Sequence, residues 1–114
     1  MVNQQMTDEL LRVASENPDG FTINVNTFQP VTHGWAVALL ETQNCFGREG
    51  AMKVIDVALK KTAGIVGGWN NQGDYYFDAV LIVESESEAT RLGIENEQIG
   101  IYEIHTNRYK DLLT

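Results

Sequence analysis

The chain has 114 residues, 43% hydrophobic and 21% charged, which excludes a disordered polymer and fits a single domain over residues 1–114 with a core of its own. Eight basic against 16 acidic residues give a net charge of -8, which argues against direct nucleic-acid binding and favours a protein partner with a basic surface. Uncharged apolar runs such as Ala79 to Val83 are too short to span a membrane; one cysteine and a start with neither a basic segment nor an apolar leader predict a cytoplasmic location.

Thr7 reads as the N-cap of a short helix over 7–16, with Asp8 and Glu9 in its first turn and Asn17-Pro18-Asp19-Gly20 as its stop. Phe21, Ile23 and Val25 then alternate with Thr22, Asn24 and Asn26, the period of a half-buried strand. Gln29 to Gly34 contains the Pro and Gly of a turn. Trp35 to Glu41 is a second strand, apolar on both faces like an interior strand or one with a helix against it. Ala51, Val54, Ile55, Ala58 and Leu59 recur at helical spacing, which predicts a long helix from Glu49 to about residue 62, with Lys60 and Lys61 at its negative end and Gly64 as a stop.

Residues 65–69 and 75–84 predict a hairpin through Asn70 to Asp74. Gly67 and Gly68 mark a bulge or a close approach, with Trp69 covering the space they leave. Ser85 with Glu88 forms a capping box for a short helix that Gly93 stops, and Ile94 supplies the apolar contact of that stop. Ile99 to Ile104 reads as the last strand; residues 107–114 form a tail that frays or makes one helical turn, peripheral like residues 1–6. The order α-β-β-α-β-β-α-β predicts an α+β fold with one mostly antiparallel sheet of about five strands. Val54, Ile55 and Leu59 are expected to press against a layer containing Phe77 and Leu81.

Chemical signatures are sparse. Cys45 precedes the long helix, and with His33 or His105 as base a thiol mechanism can be drawn; a small packing residue beside Phe46 is the commoner role. Two histidines, one cysteine and scattered carboxylates have no metal-ligand spacing, and Gly64 to Gly68 lacks a phosphate cradle, so neither metal nor cofactor is expected. Asp78 shares a strand face with Tyr76, Val80 and Ile82, which makes it either a satisfied acceptor or, with Tyr76, part of a site. Glu86, Glu88, Glu95 and Glu97, with Glu84, form the densest acidic surface, a solvated face or one that receives a basic partner. Trp69 and Tyr75, with Trp35 and Tyr76, make an aromatic patch if their faces coincide; core packing is their usual role.

Gly67-Gly68-Trp69, Tyr75 to Asp78, Glu88-Ala89, Gly93, Glu95-Asn96, Gln98 and Ile101-Tyr102 resemble a pattern in small uncharacterised proteins of plasmids, conjugative transposons and prophages of bacteria, gut bacteria in particular. With Gly34 to Val37, Thr42-Gln43 and Phe46-Gly47 the likeness spans about residues 21–104. It implies a bacterial protein of mobile-element origin, for which inhibition or modulation of a host system is a common occupation. The expected function is therefore a non-enzymatic accessory or inhibitory module that binds a protein through its acidic surface or an exposed sheet face. The rivals are a small enzyme using Cys45 with a histidine or Asp78 with Tyr76, and a structural subunit whose open sheet edge pairs in a homodimer.

Overall fold

The computed structural model describes residues 4–113; Met1 to Asn3 and Thr114, expected to be peripheral, lie outside that range. In chain order the elements are α1 (Gln4–Glu16), β1 (Phe21–Asn24), β2 (Gln29–Pro30), β3 (Trp35–Ala38), a 3-10 turn (Leu40–Thr42), α2 (Gly47–Lys61), β4 (Ile65–Asn71), β5 (Asp74–Val83), α3 (Glu86–Glu95), β6 (Gly100–Glu103) and β7 (Arg108–Asp111). The fold is α+β with one antiparallel sheet, but of seven strands instead of about five, in the order β2-β1-β4-β5-β3-β6-β7. The two additional strands are the outermost. β2 falls in the expected turn and contains Pro30, which lacks a donor and so suits a sheet edge. β7 falls in the expected tail; Arg108 to Asp111 has no apolar alternation and is extended because β6 pairs with it.

Several boundaries differ from the expectation for local physical reasons. α1 starts at Gln4, so Thr7 is a buried helical residue and not a cap, and Asp8 lies beyond the first turn, paired with Arg48 at 2.8 Å. β3 ends at Ala38, because Leu40 to Thr42 turn away from β5 in a 3-10 helix. The hairpin turn contracts to Gln72 and Gly73, both at positive φ (54° and 96°), the backbone of a tight two-residue turn whose twist suits the flanking strands. Ser85 caps α3 as expected, its hydroxyl accepting from the Glu88 N–H at 3.3 Å, while the Glu88 carboxylate turns to Arg91. Gly93 does not stop α3. It is buried inside the helix, where a Cβ would come within 2.6 Å of Leu112 and 2.9 Å of Ile101, and Ile94 is exposed.

Register sorts the sheet into two unlike faces. Ile23, Val66, Ala79 and Phe77 point to one side with Val25 and Leu39, where they meet Leu10 of α1 and Ala51, Val54, Ile55 and Ala58 of α2. Trp35, Val37 and Ile101 continue that side under Ala89 of α3. Val54, Ile55 and Phe77 thus share a core as expected, with Leu81 packed at its margin; Leu59 does not, being 43% exposed. All three helices therefore cover the same face, and the alternate residues of every strand are left facing outward.

Thr42 fills the gap where β3 leaves β5. Fully buried, it donates its hydroxyl to the Leu39 carbonyl (3.2 Å) and accepts from the Ala79 N–H (3.1 Å). Thr42→Val keeps the shape but strands that amide, so a loss of about 1–3 kcal/mol is expected in urea unfolding. A neutral result would show that water reaches Ala79.

Candidate functional site

The uncovered face has a definite relief. Its middle is made of small residues: Ala38 on β3 stands beside Val80 on β5, Gly67 on β4 stands beside Asp78 on β5, and Gly100 of β6 shares the same lining. Aromatic rings bound this floor at both ends. At one end Trp69 stacks on its cross-strand partner Tyr76 (centroids 5.3 Å, planes 23° apart), and Tyr76 in turn meets Phe46 (5.4 Å), whose backbone bridges to it beside β5. At the other end Tyr102 opposes Tyr109, and the Tyr109 ring lies over Gly100, in space a Cβ there would occupy. Between them opens a cavity of about 1060 Å³, lined by this floor and by Thr22, Phe28, Pro30 and Val31 from the β1–β2 side.

Asp78 sits in this cavity. Burial pushes its carboxyl up from 3.8 to about 6, and the Trp69 indole N–H, which favours the charged form, acts in the opposite sense. The charged residues lining the cavity are Asp19 and Asp78, both acidic. Among the described residues no lysine, arginine or histidine pairs with Asp78.

Other candidate residues fall elsewhere. Trp35 and Tyr75 face the helices, so the four aromatics do not form one patch: Trp35 is buried under Arg108 (5.1 Å from ring centroid to guanidinium carbon), and Tyr75 stacks on Phe21 and Phe77 and donates its hydroxyl to the Asn17 carbonyl at 2.6 Å. Three of the four α3-side glutamates are already paired: Glu86 with Arg108 (2.9 Å) and Lys110 (3.0 Å), Glu88 and Glu95 with Arg91 (both 2.5 Å). Glu97 is exposed in the α3–β6 connection.

Cys45 is buried, with burial as the main cause that raises its thiol pKa, the opposite of activation. Its carbonyl accepts from the Phe77 N–H (2.8 Å), whereas His33 pairs with Glu84 (3.3 Å) at the far end of β5, roughly 20 Å along the strand at about 3.3 Å per residue. His105 lies at that same far end, next to Ile104, whose N–H donates to the Gly34 carbonyl. The fold does not bring the thiol and either imidazole together. Among the described residues no group of three or more His, Cys, Asp or Glu side chains is arranged to hold a metal ion, and no helix is long and apolar enough to cross a membrane.

Asp78 and Tyr76 thus share one face as their strand period implies, while Trp69, Phe46, Tyr102, Tyr109 and the small-residue floor are brought to it by pairing. The alternating Ala36 and Ala38 are the one local trace of that floor. No family model matches the chain, and no curated protein or solved structure does.

Proposed function

We propose that this chain is a non-enzymatic binding protein, an accessory or inhibitory module that captures a protein partner on the open face of its sheet. The observation that carries the reading is the aromatic-bounded trough on the face that no helix covers. Exposed aromatic side chains at the edge of a concave surface are the anchors that protein interfaces use. A carboxylate kept in the trough at an energetic cost fits a surface maintained for binding. The resemblance of residues 21–104 to proteins of bacterial mobile elements supports the same reading, with a host component in the bacterial cytoplasm as the partner.

The acidic surface is the weaker version of this proposal, because Arg91, Arg108 and Lys110 already offset Glu86, Glu88 and Glu95. A homodimer through β7 is weaker still. Two-fold antiparallel pairing about Tyr109 sets Arg108 opposite Lys110 of a second copy, and like charges at facing positions repel. An enzyme built on Asp78 and Tyr76 remains the second reading, favoured by a carboxyl near neutrality in a cavity.

Capture of a partner from a bacterial lysate tests the proposal. Trp69→Ala combined with Tyr102→Ala is expected to reduce capture by at least about ten-fold, the size of a truncated interface anchor. Reversal of Glu86, Glu88, Glu95 and Glu97 to Lys is expected to reduce it less. Capture that ignores the aromatic pair and follows the charge reversal would move the interface to α3.

A further inference from the structure

We propose that the trough seats an arginine side chain of the protein partner, its guanidinium set against the Asp78 carboxylate and the Trp69 ring. The assignment rests on the reading of the open face as the binding surface and adds the chemistry of what enters it.

Charge is the first argument. The cavity lining contains two carboxylates and no basic side chain, and the chain as a whole carries a net charge of -8. Elsewhere in this protein several surface carboxylates find internal cations: Glu9 and Glu16 share Arg12, Glu88 and Glu95 share Arg91, and Glu86 takes both Arg108 and Lys110. Asp78, in the cavity lining with Trp69, is in no ion pair among the described residues. Asp19 in the same lining is likewise in no ion pair among the described residues, so the cavity presents carboxylates that a ligand's cation can neutralise.

Shape is the second. A guanidinium is planar, forks onto a carboxylate and stacks on aromatic faces, whereas a lysine ammonium is a compact, strongly hydrated charge that neither forks nor stacks in this way. Trp69 is 47% exposed at the trough edge, with one face occupied by the stacked Tyr76. The chain already builds the same contact on its other face, where Arg108 lies over Trp35. The half-buried Ala36 and Ala38 of the floor offer apolar surface for the methylene stem, which long basic side chains bury while the charge stays solvated or paired.

The test uses the full chain labelled with nitrogen-15 and the blocked peptide Gly-Arg-Gly, with Gly-citrulline-Gly as its uncharged isostere. The protein has two tryptophans, so the buried Trp35 indole resonance is an internal control for the Trp69 one. The arginine peptide is expected to shift the Trp69 indole saturably at millimolar concentration while Trp35 stays still. Citrulline is expected to bind at least about ten-fold more weakly, and Asp78→Asn to abolish the arginine preference. Retention of the Trp35 resonance in the variant shows that it is folded. Equal responses to arginine and citrulline, an unaltered preference in Asp78→Asn, or no saturable shift would each overturn the assignment. If partner capture still depends on Trp69 in that case, the open face stands as the interface and only its ligand chemistry falls.

Discussion

Asp78→Asn is expected to stabilise the protein at about pH 8 by about 2 kcal/mol, or about 8 °C in Tm for a domain of this size, and to leave it nearly unchanged at about pH 3.5. The carboxyl titrates near 3.8 when unfolded and at about 6 in the fold. Between those values the folded chain holds a proton that the unfolded chain has released, so stability falls as pH rises through that window and the full cost is present above it. The shift is equivalent to roughly 3 kcal/mol, and the amide recovers less because it too is a half-buried polar group. Glu9 and Glu86 titrate in the opposite sense, held low by hydrogen bonds from Arg12 and Lys110, but they are common to both proteins and cancel in the difference. Thermal unfolding of the pair at the two pH values is the measurement. An equal difference at both would mean that Asp78 is freely solvated, and the trough would lose its central feature.

Phe77→Ala is expected to cost about 3–5 kcal/mol, the range for emptying an aromatic site in a packed core. Phe77 is fully buried on the central strand β5, in contact with Phe21 and Tyr75, in the same core as Val54 and Ile55 of α2. Its ring bridges the sheet and the helical layer, so no neighbour on either side can collapse into the space without breaking register. Against the 5–15 kcal/mol that holds a typical domain together, this is a large fraction. Urea unfolding should show a lower midpoint at unchanged slope. A loss below about 1 kcal/mol would mean that α2 does not rest on this part of the sheet.

The two substitutions occupy adjacent positions and have opposite signs because β5 separates two environments. Phe77 points into the layer under α2, and Asp78 points into the open trough. A stabilising change that removes binding is the expected signature of a residue kept for what it touches and not for what it holds together.

Local sequence by itself determined α2 and the strand character of β1 and β3 through the hydrophobic period, and the β4–β5 hairpin and the Ser85 cap through their turn and capping residues, since each depends on residues within a few positions of one another. It also placed Asp78 and Tyr76 on one strand face. Only the tertiary structure decided which face the helices cover, because Ala36 and Ala38 are apolar enough to be buried and are left open by the side on which α2 and α3 dock. The same holds for β7, extended through pairing with β6, and for Gly93, which reads as a stop until α3 lies too close to Ile101 and Leu112 for a side chain. The acidic surface shows the limit most clearly: Glu86 looks unpaired along the chain, yet Arg108 and Lys110 reach it from 22 and 24 residues away. Local pattern specifies the period of an element, whereas the neighbours that neutralise a charge or uncover a face come from distant parts of the chain and exist only once it has folded.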